Sequence, residues 1–242
     1  MDRSVSVGIL LFTDVEVLDF AGPFEAFSVA SRVAVRDGDA PLPPFDVLTV
    51  GRSGNPVRAR HGLAVMPAHS FASCPPLDVL VVPGGVVAEP LADSAVLDWV
   101  RDRHDQAHIT ASVCTGAFVL AKAGLLNGLA ATTHWEDVGE LRATYPEIDV
   151  IEHVRFVDEG RVLSSAGVSA GIEMSLDLVG DLLGEDAARR VARQMEYVFE
   201  PTPREARPGR GMSGRDWRHD IRRQTAAYQA RIARNGSDNR SD

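Results

Sequence analysis

Cysteine is scarce in this chain: Cys74 and Cys114 are the only two in 242 residues. Two cysteines at unrelated positions make neither a disulfide framework nor a zinc site, which points to a reducing compartment. No stretch approaches the roughly 20 apolar residues of a membrane span. The opening MDRSVSVGILLF is too short and too strand-like in its apolar run for a signal peptide. His61, His69, His104 and His108 show no metal-ligand spacing such as HExxH, and no internal repeat is present. These absences predict a cytoplasmic protein that needs neither metal nor membrane.

Charge of one sign is also missing from most of the chain in compensating amount. From Pro203 onward ten arginines face five acidic residues, a local balance of +5, so residues 1–202 carry −14 of the total −9. An acidic body argues against nucleic-acid binding. The Gly-, Pro-, Ser- and Arg-rich segment 203–242 offers little to bury and is expected to be a partly disordered extension with one short helix at 216–233. The body, 1–202, is expected to be one α/β domain.

Within it, short β-branched runs alternate with helical patterns. Strands are predicted at 5–12 (VSVGILLF), 45–50 and 78–82 (DVLVV), and helices at 20–35, with Pro23 in the first turn, and at 94–104. Residues 56–67 read as a hairpin. A further strand, 108–113 (HITASV), runs straight into a helix at 115–126, and a helix is predicted at 136–145. Two paired runs follow at 154–158 and 161–164, then closing helices at 171–183 and 185–198. Continuous rather than alternating apolar strands are those of a parallel sheet covered on both faces, so the fold class is α/β, doubly wound and mostly parallel. Ligands in such sheets bind beyond the carboxyl ends of the strands. The loop of Asp14, Glu16 and Asp19, the Gly84-Gly85 turn and Cys114 all leave from there.

Cys114 occupies a sharp strand-to-helix junction, the construction that presents nucleophiles in α/β-hydrolases. Helix amides beneath the sulfur would favour thiolate over thiol and make Cys114 acidic. The competing reading is a small buried filler. Asp19 admits two readings as well, an N-cap for the helix beginning near Phe20 or a site carboxylate. His134, twenty residues after Cys114, is equally a pocket residue or a packed neighbour of Trp135. Cys74, beside Pro75 and Pro76, reads as inert.

Five segments in order, LDFAGPFEAF (18–27), DVLVVPGG (78–85), SVCTGAFVLAKAGLLNG (112–128), ATTHW (131–135) and SSAGVSAGIEMSLDLV (164–179), resemble the PfpI/ThiJ superfamily of class I glutamine-amidotransferase-like proteins. Asp19-x-x-Gly22-Pro23 and Thr115 after the cysteine are similar to the isocyanide hydratase branch, and occur also in the sensor domains of certain AraC-type regulators. The 40 residues beyond the domain do not read as a helix-turn-helix pair. The resemblance implies a homodimer without cofactor that acts on a small molecule. In it Cys114 is the nucleophile, Asp19 the proton donor and Thr115 a helper for water, with Gly84, Gly85 and His134 lining the pocket and the Gly85 and Thr115 amides serving as an oxyanion hole. A glyoxalase- or deglycase-like activity and a non-catalytic sensor or stress domain are the alternative functions.

Overall fold

The computed structural model describes residues 4–202; the Arg-rich segment 203–242, and with it the helix expected at 216–233, lies outside the described residues. The chain enters through β1 (Val5–Leu11) and α1 (Val17–Arg36), then β2 (Phe45–Gly51), the two-residue strands β3 (Val57–Arg58), β4 (Ala64–Val65) and β5 (His69–Ser70), and β6 (Val79–Val82). Next come α2 (Ala88–Ala92), α3 (Ser94–Gln106), β7 (Ile109–Val113), α4 (Gly116–Lys122), β8 (Ala130–Ala131), α5 (Val138–Thr144) and β9 (Asp149–Val150). β10 (Phe156–Asp158), β11 (Val162–Ser165), α6 (Ala170–Leu183) and α7 (Glu185–Gln194) complete it.

Seven strands form one sheet in the order β10-β11-β7-β6-β1-β2-β5, parallel throughout except for β10, which runs against β11. β1, β6 and β7 are buried at every position, as apolar runs without alternation require when helices cover both faces. α1, α6 and α7 pack together, as do α2, α3 and α4. The α/β doubly wound reading of the sequence is therefore the fold observed.

Element ends differ from the sequence reading where turn chemistry decides. α4 stops at Lys122 rather than running to Leu126. Gly124 takes φ +81°, its N–H bonds Ala121 O at 2.8 Å, and Leu125 N–H bonds Leu120 O at 2.9 Å. That pair of reverse bonds closes a helix around a left-handed residue. α7 ends the same way before Val198, with Glu196 at φ +52° and the Tyr197 N–H on Ala192 O at 2.9 Å.

α1 starts three residues earlier than the sequence suggested, so Pro23 lies in its second turn and withholds the N–H that Asp19 O would otherwise accept. The expected hairpin at 56–67 is β3 and β4, antiparallel. It folds back over the β1–α1 loop through Asp14 N–H to Arg58 O at 2.8 Å and Arg60 N–H to Val15 O at 3.0 Å.

Candidate active site

β7 delivers Cys114 at φ +57°, a left-handed conformation that costs a non-glycine residue energy and has to be held by its surroundings. Three contacts hold it. The Cys114 N–H bonds Ser165 O on β11 at 3.0 Å, and the Thr133 hydroxyl donates to Cys114 O at 2.9 Å. Two residues on, Gly116 lets the helix pass β6, because a Cβ there would stand 2.1 Å from Val82 O. The elbow is thus built by three neighbouring segments as well as by its own sequence.

The sulfur does not behave as its position at a helix start suggested. Thr115 N–H does favour the thiolate, but Cys114 is only 7% exposed, and burial together with the charge of Asp19 pushes the thiol up to about 12. Desolvation of an anion outweighs one backbone donor here, so the expectation of an acidic free thiol is corrected.

Asp19 is completely buried and lies inside the first turn of α1, whose N-cap is Glu16. The capping reading is therefore wrong. Its carboxyl instead accepts the Gly84 N–H on Oδ2 at 3.1 Å and meets the Cys114 side chain, while Oδ1 has no well-formed hydrogen bond. Burial, opposed by these contacts, raises its pKa to about 7. At the rim, Glu16 pushes in the same direction and Arg60, paired with Glu16 at 2.9 Å, opposes it. Between about 7 and about 12 the carboxyl and thiol together hold one proton, as two adjacent would-be anions must.

The glycine turn serves a different purpose from an open oxyanion hole. Gly84 N–H is spent on Asp19, and Gly85 N–H bonds Thr115 Oγ1 at 2.9 Å while the Thr115 hydroxyl donates back to Gly85 O at 2.9 Å. Gly85, at φ +135°, has no room for a Cβ, which would lie 2.3 Å from Asp14 O. Thr115 therefore staples the glycine loop to the elbow, and its one O–H is not available to direct water.

His134 closes the other side. It and Cys114 meet across Gly167: a Cβ on Gly167 would be 2.7 Å from Sγ and 2.8 Å from His134 Cδ2. Six sequence candidates, Cys114, Asp19, Thr115, Gly84, Gly85 and His134, thus converge on one locus. Thr133 and Gly167 were not recognised in the sequence, although both stand in segments quoted for the resemblance. Cys74 is remote from this site, with its thiol on Pro75 O at 3.3 Å.

Residues 5–181 match the DJ-1/PfpI family. The chain belongs to that family. It is 38% identical to isonitrile hydratase of Pseudomonas putida over 82% of this chain and 81% of that one. It is 26% identical to the HTH-type transcriptional regulator GbdR of Pseudomonas aeruginosa over 68% of this chain but only 43% of the regulator. Among solved structures, a ThiJ/PfpI family protein from Pseudomonas syringae superposes with a TM-score of 0.71 at 27% identity, covering 94% of this chain and 88% of that one.

Proposed function

We propose that this DJ-1/PfpI family member hydrates isocyanides to N-formamides. The observation that carries the reading is the buried, adjacent Cys114–Asp19 pair, with the carboxyl held by the Gly84 amide, a nucleophile and an acid set against each other. An isocyanide carbon must accept both. The likeness to isonitrile hydratase supports the same assignment.

The sulfur attacks the terminal carbon as the shared proton passes to that carbon, giving a thioimidate, R–N=CH–S–Cys114, and leaving Asp19 ionised. Asp19 then takes one proton from the water that adds to the same carbon, as the C=N electron pair moves to nitrogen; the other water proton passes from the new hydroxyl to that nitrogen, the C–S bond breaks, and the formamide leaves with the pair again holding one proton. Nucleophile and acid are both side chains, so the cycle calls on no cofactor. Gly84 orients the carboxyl, and Thr115 with Gly85 holds the loop that carries Gly84; these are positioning roles. The partner is a small-molecule substrate, and the protein works in the cytoplasm. A second copy of the chain is proposed to cover the exposed Leu18 and Phe24 of α1, to be checked by mass in solution.

The test is to incubate the protein separately with cyclohexyl isocyanide and with methylglyoxal. N-cyclohexylformamide from the first and no lactate from the second is the expected result. Turnover of the glyoxal alone would assign the carbonyl chemistry instead, and no turnover of either would leave a sensor domain.

A further inference from the structure

Helix α6 carries a row of carboxylates away from the elbow. Glu173, Asp177 and Asp181 recur every four residues, a spacing that stacks them on one face of the helix, where like charges repel. The row sinks as it goes: Glu173 is partly open, whereas Asp177 is 1% and Asp181 5% exposed. Carboxylates at that depth are tolerated where donors or cations meet them.

The chain that follows α7 runs along this row in order. At its start Arg155 donates from Nε to Glu173 Oε2 at 2.8 Å and also meets the Tyr197 side chain. Phe199 then packs against the core, and one turn further along α6 the Thr202 N–H reaches Asp177 Oδ1 at 3.1 Å. Asp181 is the next carboxylate in that path. The arginines of α7 are directed elsewhere: Arg189 and Arg190 pair with Glu185, Asp37 and Asp39, and Arg193 lines a surface cleft with Arg36.

The sequence beyond Thr202 carries the matching charge. It continues Pro203-Arg204, opening a segment with ten arginines against five acids that follows a body of −14. Pro203 biases Thr202 toward an extended backbone. Two residues of extended chain span about 7 Å, against about 6 Å for one four-residue step along a helix. Arg204 therefore comes level with Asp181.

We propose that the face of α6 bearing Asp177 and Asp181 is the docking site for the start of the Arg-rich segment, with the Arg204 guanidinium seated on the Asp181 carboxylate. The segment is thereby fastened to the body at its root, and the arginines from Arg207 onward take no part in the anchor. The proposal is independent of the isocyanide reading.

Thermal unfolding of the full chain tests the pair. Asp181→Asn and Arg204→Gln each deprive a buried group of its counterpart, and each should lower the melting temperature by roughly 5–10 °C. The double variant should lose little more than either alone, because both substitutions remove the same contact. Arg207→Gln and Arg210→Gln should shift it by less than about 2 °C. Hydrogen exchange on the unsubstituted chain is a second measurement that needs no variant to fold: the amides of residues 204–206 should exchange about tenfold or more slowly than those of residues 220–240. Losses that add in the double variant, an unchanged melting temperature in Arg204→Gln, or coupling of Asp181 to Arg207 in place of Arg204 would overturn the proposal. So would exchange at 204–206 as fast as at 220–240.

Discussion

The two flanks of Cys114 are built on opposite principles. On one side Asp19 is wholly buried, tied by the Gly84 amide and raised to about 7 because its charge has no water to meet. On the other, His134 is one-fifth exposed and leans on surface carboxylates that are themselves partly in solvent. The buried flank can retain a proton that a solvated carboxyl would have lost; the open flank is the side that solvent reaches. A carboxyl needs the first of these environments to act as an acid near neutrality.

The sharpest way to break this contrast is Asp19→Asn. It keeps the shape and a donor but no transferable proton, so adduct formation itself should fall by roughly 10²- to 10⁴-fold. The pH dependence follows the same pair. In wild type, adduct formation should rise with pH through about 7 as the doubly protonated pair gives up a proton, and fall toward about 12 as the last proton leaves.

Stability should run the other way. A folded-state pKa above the unfolded one means that Asp19 favours the folded state most below the ordinary carboxylate range near 4. That advantage is lost as pH climbs from there through about 7, and it amounts to about 1.4 kcal/mol for each pH unit between the two values. Melting temperature against pH should therefore decline more steeply in wild type than in Asp19→Asn. Parallel curves would mean that burial is not what raises the carboxyl.

Gly167→Ala tests whether the two flanks meet at one point. The new methyl falls 2.7 Å from Sγ and 2.8 Å from the His134 ring, so one must move. A loss of about 1–3 kcal/mol in stability, with both adduct formation and release slowed, is expected. Unchanged adduct formation with unchanged stability would show that Gly167 does not press on the sulfur.

Thr115→Val removes both hydrogen bonds to Gly85 at nearly constant volume. The unpaired Gly85 groups should cost about 1–3 kcal/mol by urea unfolding, with a smaller effect on rate than Asp19→Asn. The mildest expected change comes from Arg60→Ala at the rim. An exposed pair with Glu16 is worth about 1 kcal/mol or less, but removing the cation that lowers Asp19 should move the acid limb of the pH profile slightly upward. A downward move would show that Arg60 does not act on the buried flank.

Much of this arrangement was legible before any coordinates. Continuous apolar runs in β1, β6 and β7 specified a sheet covered on both faces, because side chains that alternate between faces must then all be apolar. The strand-to-helix junction at Cys114 was visible because both of its arms are local patterns, whereas the end of α4 was read four residues too far, past the left-handed Gly124 that closes the helix after Lys122. What stayed hidden depends on contacts between distant segments. Asp19 meets Cys114 only because β6 lies between β1 and β7 in the sheet, which turns a helix-start residue into a buried acid. Gly167 has no local signature that distinguishes a turn residue from one pressed against a sulfur.

The thiol illustrates the limit most clearly. Its position at the start of a helix, a one-dimensional fact, argued for an acidic cysteine. Desolvation depends on everything that surrounds the sulfur, and that is settled by the folded chain alone. The sequence determined that Cys114 stands at a strand-to-helix junction, and the tertiary structure decided, by burying the sulfur beside Asp19, that its proton is held instead of being given up to water.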